Sequence, residues 1–318
     1  MTTAAHLQHF GLTRPPFQIR PDTDFFFPGN RQGEYLDALL HVAAHDEGLC
    51  IVIAGAGSGK TLMARQMISR LPEDIQALYL AYPCLGRGEI LDAIGSELGM
   101  DSLPDTMDGK LAMLQGQLRQ RHADGKRILL VIDEAHTLPT ESLEEIRMLS
   151  DLEAGQHKLV NILLLGQAGL DTLLTDPRLR QVQDRVIHRF ELTPFSRDDV
   201  AAYIDHRLRA SGWQGGPLFD DKALDAISHA SEGRAQRINL LADLSLQAAC
   251  AKDAKQVHAS HVKQAMASLP DAPALPREQS TLKLPTLPRL RLAGSLAALA
   301  LAGTVAWALT FTGPASKQ

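Results

Sequence analysis

The chain has 318 residues, 45% of them hydrophobic and 22% charged, and a net charge of −5. That length admits two compact modules plus tails, and that balance excludes a disordered chain. The acidic net charge excludes a global basic field of the kind that attracts nucleic acid, leaving only a local patch open.

The opening, MTTAAHLQHFGLTRPPF, lacks a basic stretch followed by an apolar core. No signal peptide is therefore expected, and the bulk of the chain is expected in the cytoplasm. Three cysteines, Cys50, Cys84 and Cys250, are widely spaced, which reads as reduced thiols without disulfide or metal spacing. Residues 1–30 are rich in turn formers and phenylalanines (Phe17, Phe25, Phe26, Phe27) and read as an extended strap over the first module. The phenylalanines either plug grooves or border a nucleotide base. Residues 31–46 place Tyr35, Leu36, Leu39, Leu40 and Ala43 at helical spacing.

Leu49 to Ala54 is an apolar run of buried-strand length, followed by Gly55, Gly57 and Gly59, then Lys60-Thr61 and a helix-compatible segment. Ala54 takes the first place of G-x-x-x-x-G-K-[ST], where a methyl is tolerated. A second strand is expected at 75–81, helices at 88–98 and 107–121, and a strand at 127–134 ending in Asp133-Glu134. Two more strands are expected at 159–165 and 186–192. Apolar runs alternating with helices predict a doubly wound parallel α/β sheet over residues 31–195. From Ser196 the strand signal stops. Helical patterns at 198–210, 220–230, 237–251 and 259–269 read as a four-helix lid over 196–269.

Five prolines within 270–291 suggest a stiff linker. Residues 292–311 carry no charge and are long enough to span about 30 Å of hydrocarbon. With basic residues before them, they read as a transmembrane helix followed by a periplasmic tail, 312–318. The competing possibility is an Ala-rich soluble core helix.

The chemistry centres on phosphate. In such a loop Gly55, Ala56, Gly57, Ser58, Gly59, Lys60, Thr61 and Leu62 surround the phosphates of ATP with backbone N–H groups, Lys60 reaching the β/γ-phosphates. Thr61 and Asp133 are the expected Mg²⁺ ligands, the aspartate often through water. Glu134 is the expected base for an attacking water. Gln167, after the strand at 159–165, is expected between the loop and Glu134. Of Arg178, Arg180 and Arg185, the last lies nearest a strand and is expected to reach a neighbouring subunit's γ-phosphate in trans. Lys60 and Asp133 must lie close enough to share one metal–phosphate group.

These motifs, with HFGLTRPPFQIRPDTDFFFPG, LLVIDEAHTLPTESLEEIRMLSDLE, LRQVQDRVIHRFELTPFS and SEGRAQRINLLAD, resemble the AAA+ ATPases of the ExeA/GspA type over about residues 6–268. The resemblance implies an AAA+ module with a helical lid, Gln167 as its first sensor, and ATP hydrolysis in a homo-oligomer. It also implies partners in type II secretion or MSHA-type pilus assembly at the inner membrane, with a single-pass anchor and a cytoplasmic ATPase domain. A periplasmic peptidoglycan-binding domain, frequent in this group, is absent or lies outside this sequence. At the second sensor the group places an arginine after Gly-x-Pro; here the position is Gln236, with Ala235 before it. Arg237, one residue on, is turned by about 100° and is expected to face away from the phosphates. Two other functions compete with a membrane-anchored ATPase. One is a nucleotide-ordered scaffold with little turnover; the other, a DNA-associated ATPase, is disfavoured by the acidic charge and the span.

Overall fold

Every residue of the strand Leu49–Ala54 (β1) is buried, because both of its faces are covered. Leu49, Ile51 and Ile53 enter one apolar cluster and Cys50, Val52 and Ala54 the other, the two-residue period of a strand. Residues 4–45, 48–81, 86–155 and 157–269 are described in this computed structural model, all within one compact unit, Met1–Leu275.

The chain opens with a short helix, α1 (Ala4–Phe10), then an irregular stretch, then α2 (Gln32–His45), β1 and α3 (Lys60–Ile68). There follow β2 (Ile75–Leu80), α4 (Glu89–Glu97), α5 (Met107–Ala123), β3 (Arg127–Ile132) and α6 (Thr140–Ser150). A two-residue ribbon, β4 (Glu153–Ala154) with β5 (His157–Lys158), leads into β6 (Val160–Gly166). Next come α7 (Ala168–Leu174), α8 (Arg180–Gln183) and β7 (Val186–Leu192). Five strands make one parallel sheet in the order β2-β3-β6-β1-β7. Apolar residues of α2 and α3 pack on one face, and those of α4, α5, α6 and α7 on the other. The strands thus carry their runs without alternation. At the edge, β7 does alternate, with Ile187 49% exposed.

Four helices follow: α9 (Arg197–Ala210), α10 (Asp221–Ser231), α11 (Ala235–Cys250) and α12 (Ala259–Ala267). Ser196 and Asp199 start α9 with a reciprocal capping box, and the Asp220 side chain caps α10. Their apolar faces form a core of their own, which also takes in Phe10, Phe17 and Phe27. The N-terminal phenylalanines therefore fill grooves, and the first segment is partly helical rather than extended throughout. Phe25 is fully buried, with the Arg14 and Arg207 guanidinium groups over its ring at 4.3 and 4.6 Å. Arg207, itself 3% exposed, donates to the Pro16 carbonyl at 2.5 Å and to the Tyr203 hydroxyl at 2.8 Å.

Among the described residues no helix is long and apolar enough to cross a membrane. The longest, α5, has 17 residues, carries Asp108, Lys110, Arg119 and Arg121, and at ~1.5 Å per residue falls short of a bilayer's hydrocarbon thickness. This finding corrects the expected placement as a single-pass protein of the inner membrane. The expected linker, apolar segment and tail, 270–291, 292–311 and 312–318, lie outside the described residues.

Candidate functional site

The loop after β1 owes its shape to glycine. Gly57 and Gly59 have φ of +71° and +102°, values that L side chains rarely adopt. A Cβ built on Gly55 or Gly59 would meet nothing within 4 Å, so the loop surrounds open space. Gly59 begins α3, whose first turn carries Lys60, Thr61 and Leu62 with their unpaired amides. The Ser58 hydroxyl oxygen is buried without a hydrogen-bond partner among the described residues. Lys60 is 3% exposed and donates to the carbonyls of Ala54 and Gly55, both at 3.2 Å. Burial pushes the pKa of its ammonium down, against the pull of Glu134 and Asp133.

In the sheet β6 separates β1 from β3, so the loop and Asp133 do not sit on neighbouring strands. They meet nevertheless, because α3 lies across the face that contains Leu129 and Val131. Thr61 Oγ1 donates to Asp133 Oδ2 at 2.5 Å, and the Glu134 amide donates to Asp133 Oδ1 at 2.9 Å. Asp133 is 2% exposed. Glu134 adopts a left-handed conformation, φ 52° and ψ 34°, which turns the chain sharply after β3. Gln167, between β6 and α7, donates from Nε2 to Glu134 Oε2 at 3.3 Å. His136 Nδ1 stands 3.4 Å from the same oxygen.

Lys60, Thr61, Asp133, Glu134 and Gln167 thus come together. Arg185 does not join them. It precedes β7, the edge strand beside β1, at the end of β1 opposite the loop; its backbone carbonyl accepts from the Leu49 amide, and its guanidinium pairs with Asp151 at 2.8 Å. An arginine so placed is remote from its own chain's loop.

The helical subdomain closes the remaining side. The Gln236 amide donates to the Gly57 carbonyl at 2.9 Å, and its side chain lies against the Gly57 Cα. Beside this contact is an open cleft of about 310 Å³. Ala56 and Gly57 line it with the apolar Ile19, Leu240 and Leu269 and the polar Arg234, Gln236 and Arg237. Arg237 also borders the cleft. Two residues at the carboxylates, Tyr79 and His136, escape sequence reasoning. Tyr79 OH reaches Asp133 Oδ2 at 3.1 Å only through strand pairing; His136, two residues after Glu134, could have been flagged from that spacing.

A parallel sheet, a glycine loop at a helix start, and the adjoining carboxylates of buried Asp133 and half-buried Glu134 define an AAA-type P-loop ATPase. Residues 43–174 match the AAA domain family. The chain is 35% identical over 257 residues to General secretion pathway protein A of Aeromonas hydrophila, covering 79% of this chain and 46% of that protein. It is thus similar to an ExeA/GspA-type AAA ATPase and spans about half the length of that relative. It is also 24% identical to the ATP-dependent target DNA activator B of Escherichia phage Mu, over 72% of this chain and 69% of that one. The fold is shared with the Aeropyrum pernix ORC1 protein in complex with DNA, at TM-score 0.61 and 17% identity over 80% of this chain and 69% of that chain. CDC6P from Pyrobaculum aerophilum gives 0.58 and 18%, over 82% and 70%.

The donor set fits a triphosphate with magnesium. The open loop offers amides and a buried unpaired hydroxyl, Lys60 offers an ammonium, and Thr61 and Asp133 offer hard oxygen ligands.

Proposed function

We propose that this chain binds Mg-ATP in the loop between β1 and α3 and hydrolyses it there, in a homo-oligomer whose work is assembly of secretion machinery. The observation that carries it is the 2.5 Å contact of Thr61 with Asp133, beside Glu134 and Gln167. When bound, magnesium supplies charge neutralisation at the phosphates. The loop amides and Lys60 orient the triphosphate, and Thr61 and Asp133 hold the metal. Glu134 accepts the proton of the attacking water, with Gln167 holding its carboxylate in place. The cleft with Ile19, Leu240 and Leu269 suits the base, and the helices α9–α12 serve as a lid whose first turn at Gln236 meets the loop. Arg185, at the end of β1 opposite the loop, is suited to a neighbouring copy's phosphate.

Secretion enters because the 35% identical relative bears that name. The phage relative is named for target DNA, but the net charge of −5 favours secretion components over nucleic acid.

Glu134→Gln is the direct test. Nucleotide affinity is expected to stay within a few-fold while steady-state hydrolysis falls by about 10²-fold or more. Undiminished hydrolysis in the variant removes Glu134 from the mechanism. Absence of hydrolysis in the assembled wild type favours a nucleotide-ordered scaffold instead.

A further inference from the structure

Asp133 receives a side-chain donor that the phosphate loop does not supply. In the β2–β3 register Tyr79 lies opposite Val131, and Asp133 is two residues further along. Side chains alternate between faces, so Tyr79, Val131 and Asp133 share the face covered by α3. The Tyr79 hydroxyl donates to Asp133 Oδ2 at 3.1 Å, the same oxygen that takes Thr61 Oγ1 at 2.5 Å. A phenolic O–H beside a carboxylate oxygen donates to it.

We propose that Tyr79 is a positioning residue for the metal-facing carboxylate, its hydroxyl fixing the direction of Asp133 Oδ2. This rests on the reading of the site as a Mg-ATP site. The terminal torsion of an aspartate is broad and held by its partners. Among the described residues Oδ2 has two side-chain donors, Thr61 and Tyr79. Thr61 is the one whose oxygen would turn to the metal, its O–H then pointing away from Asp133. Tyr79 keeps the carboxylate oriented through that change. Supports of this kind set metal affinity because they limit the freedom of the ligand.

The test is equilibrium binding of a fluorescent ATP analogue to the full chain, first in EDTA and then across a Mg²⁺ titration. Tyr79→Phe keeps the ring and removes one oxygen. Its metal-free affinity is expected to match wild type, while the Mg²⁺ concentration giving half the metal-dependent gain rises about 10-fold. In an Asp133→Asn background the same change is expected to add nothing to that midpoint; an additive shift would mark a packing effect and overturn the proposal. Tyr79→Gln keeps a donor without the ring and provides a second variant should the Phe protein fail to fold. A return towards the wild-type midpoint is expected; a shift as large as that of a non-donor overturns the proposal. If wild type binds the analogue and Tyr79→Phe has the same Mg²⁺ midpoint, the role of Tyr79 falls alone. If wild type binds no nucleotide at any Mg²⁺ concentration, the reading of the site falls with it.

Discussion

Lys60 shows how a single side chain sets function against stability. Its ammonium is buried among loop carbonyls before any phosphate arrives, and burial lowers its pKa from the ordinary value of 10.5. Below that lowered value Lys60 is charged in both folded and unfolded chains, so the cost of burying it is present in full. Between the lowered value and 10.5 the unfolded chain binds more protons, so stability climbs with pH across that window. At neutral pH the charge is a burden that the nucleotide would relieve. Lys60→Met is thus expected to raise the unfolding midpoint of the nucleotide-free protein by about 2–4 °C, the shift for about 1 kcal/mol at this size. It should also abolish nucleotide binding. Calorimetry with a parallel binding titration checks both, and a lowered midpoint would refute the stability half. Lys60, Thr61, Asp133 and Glu134 are legible in the sequence because their spacing is local to one loop and one strand end. Tyr79 is not, because its partner lies 54 positions away and is brought close by strand register. Arg207 reads as a charge on a helix surface; that it is buried follows from a segment some 190 residues earlier.

Among the elements, the junctions matter more than the elements themselves. The limits of β1 and β7 follow from composition alone, since an apolar or alternating run ends where glycine or proline begins. The insertion of β6 between β3 and β1 has no local signature, because strand order is decided by crossovers rather than by the strands' own residues. A second junction joins the approach to α9 with the approach to α11. The Phe195 amide donates to the Gly233 carbonyl at 2.9 Å, and Gly233 has φ +68°. A Cβ on Gly233 would sit 2.2 Å from the Phe195 carbonyl oxygen, which is backbone and cannot rotate away. Gly233→Ala is expected to cost about 2–3 kcal/mol in denaturant unfolding. A cost below that of an ordinary surface substitution would show that the junction yields.

For the whole molecule, acid is the sensitive direction. His206, on α9, lies 5.5 Å from the Phe27 ring. Burial foremost, then the Arg207 charge, lowers its pKa, while the Phe26 backbone and Asp205 oppose them. His261, on α12, is lowered as well, by burial and by Lys252 and His258 against Asp220. For both, the folded chain binds fewer protons than the unfolded one just below the ordinary value of 6.5. Stability is therefore expected to drop as pH falls through that window. Unfolding midpoints from pH 7 to 5 check this, and His206→Gln should flatten the decline; an unchanged slope would exclude His206 as a contributor. The buried guanidinium of Arg207 also bears on the order of events during synthesis. Pro16 and Phe25 emerge from the ribosome well before residue 207 has been joined to the chain, so the opening segment must wait for its anchor. Closure of so long a span comes late, and until then the nascent N-terminus presents its phenylalanines to whatever chaperone is at hand.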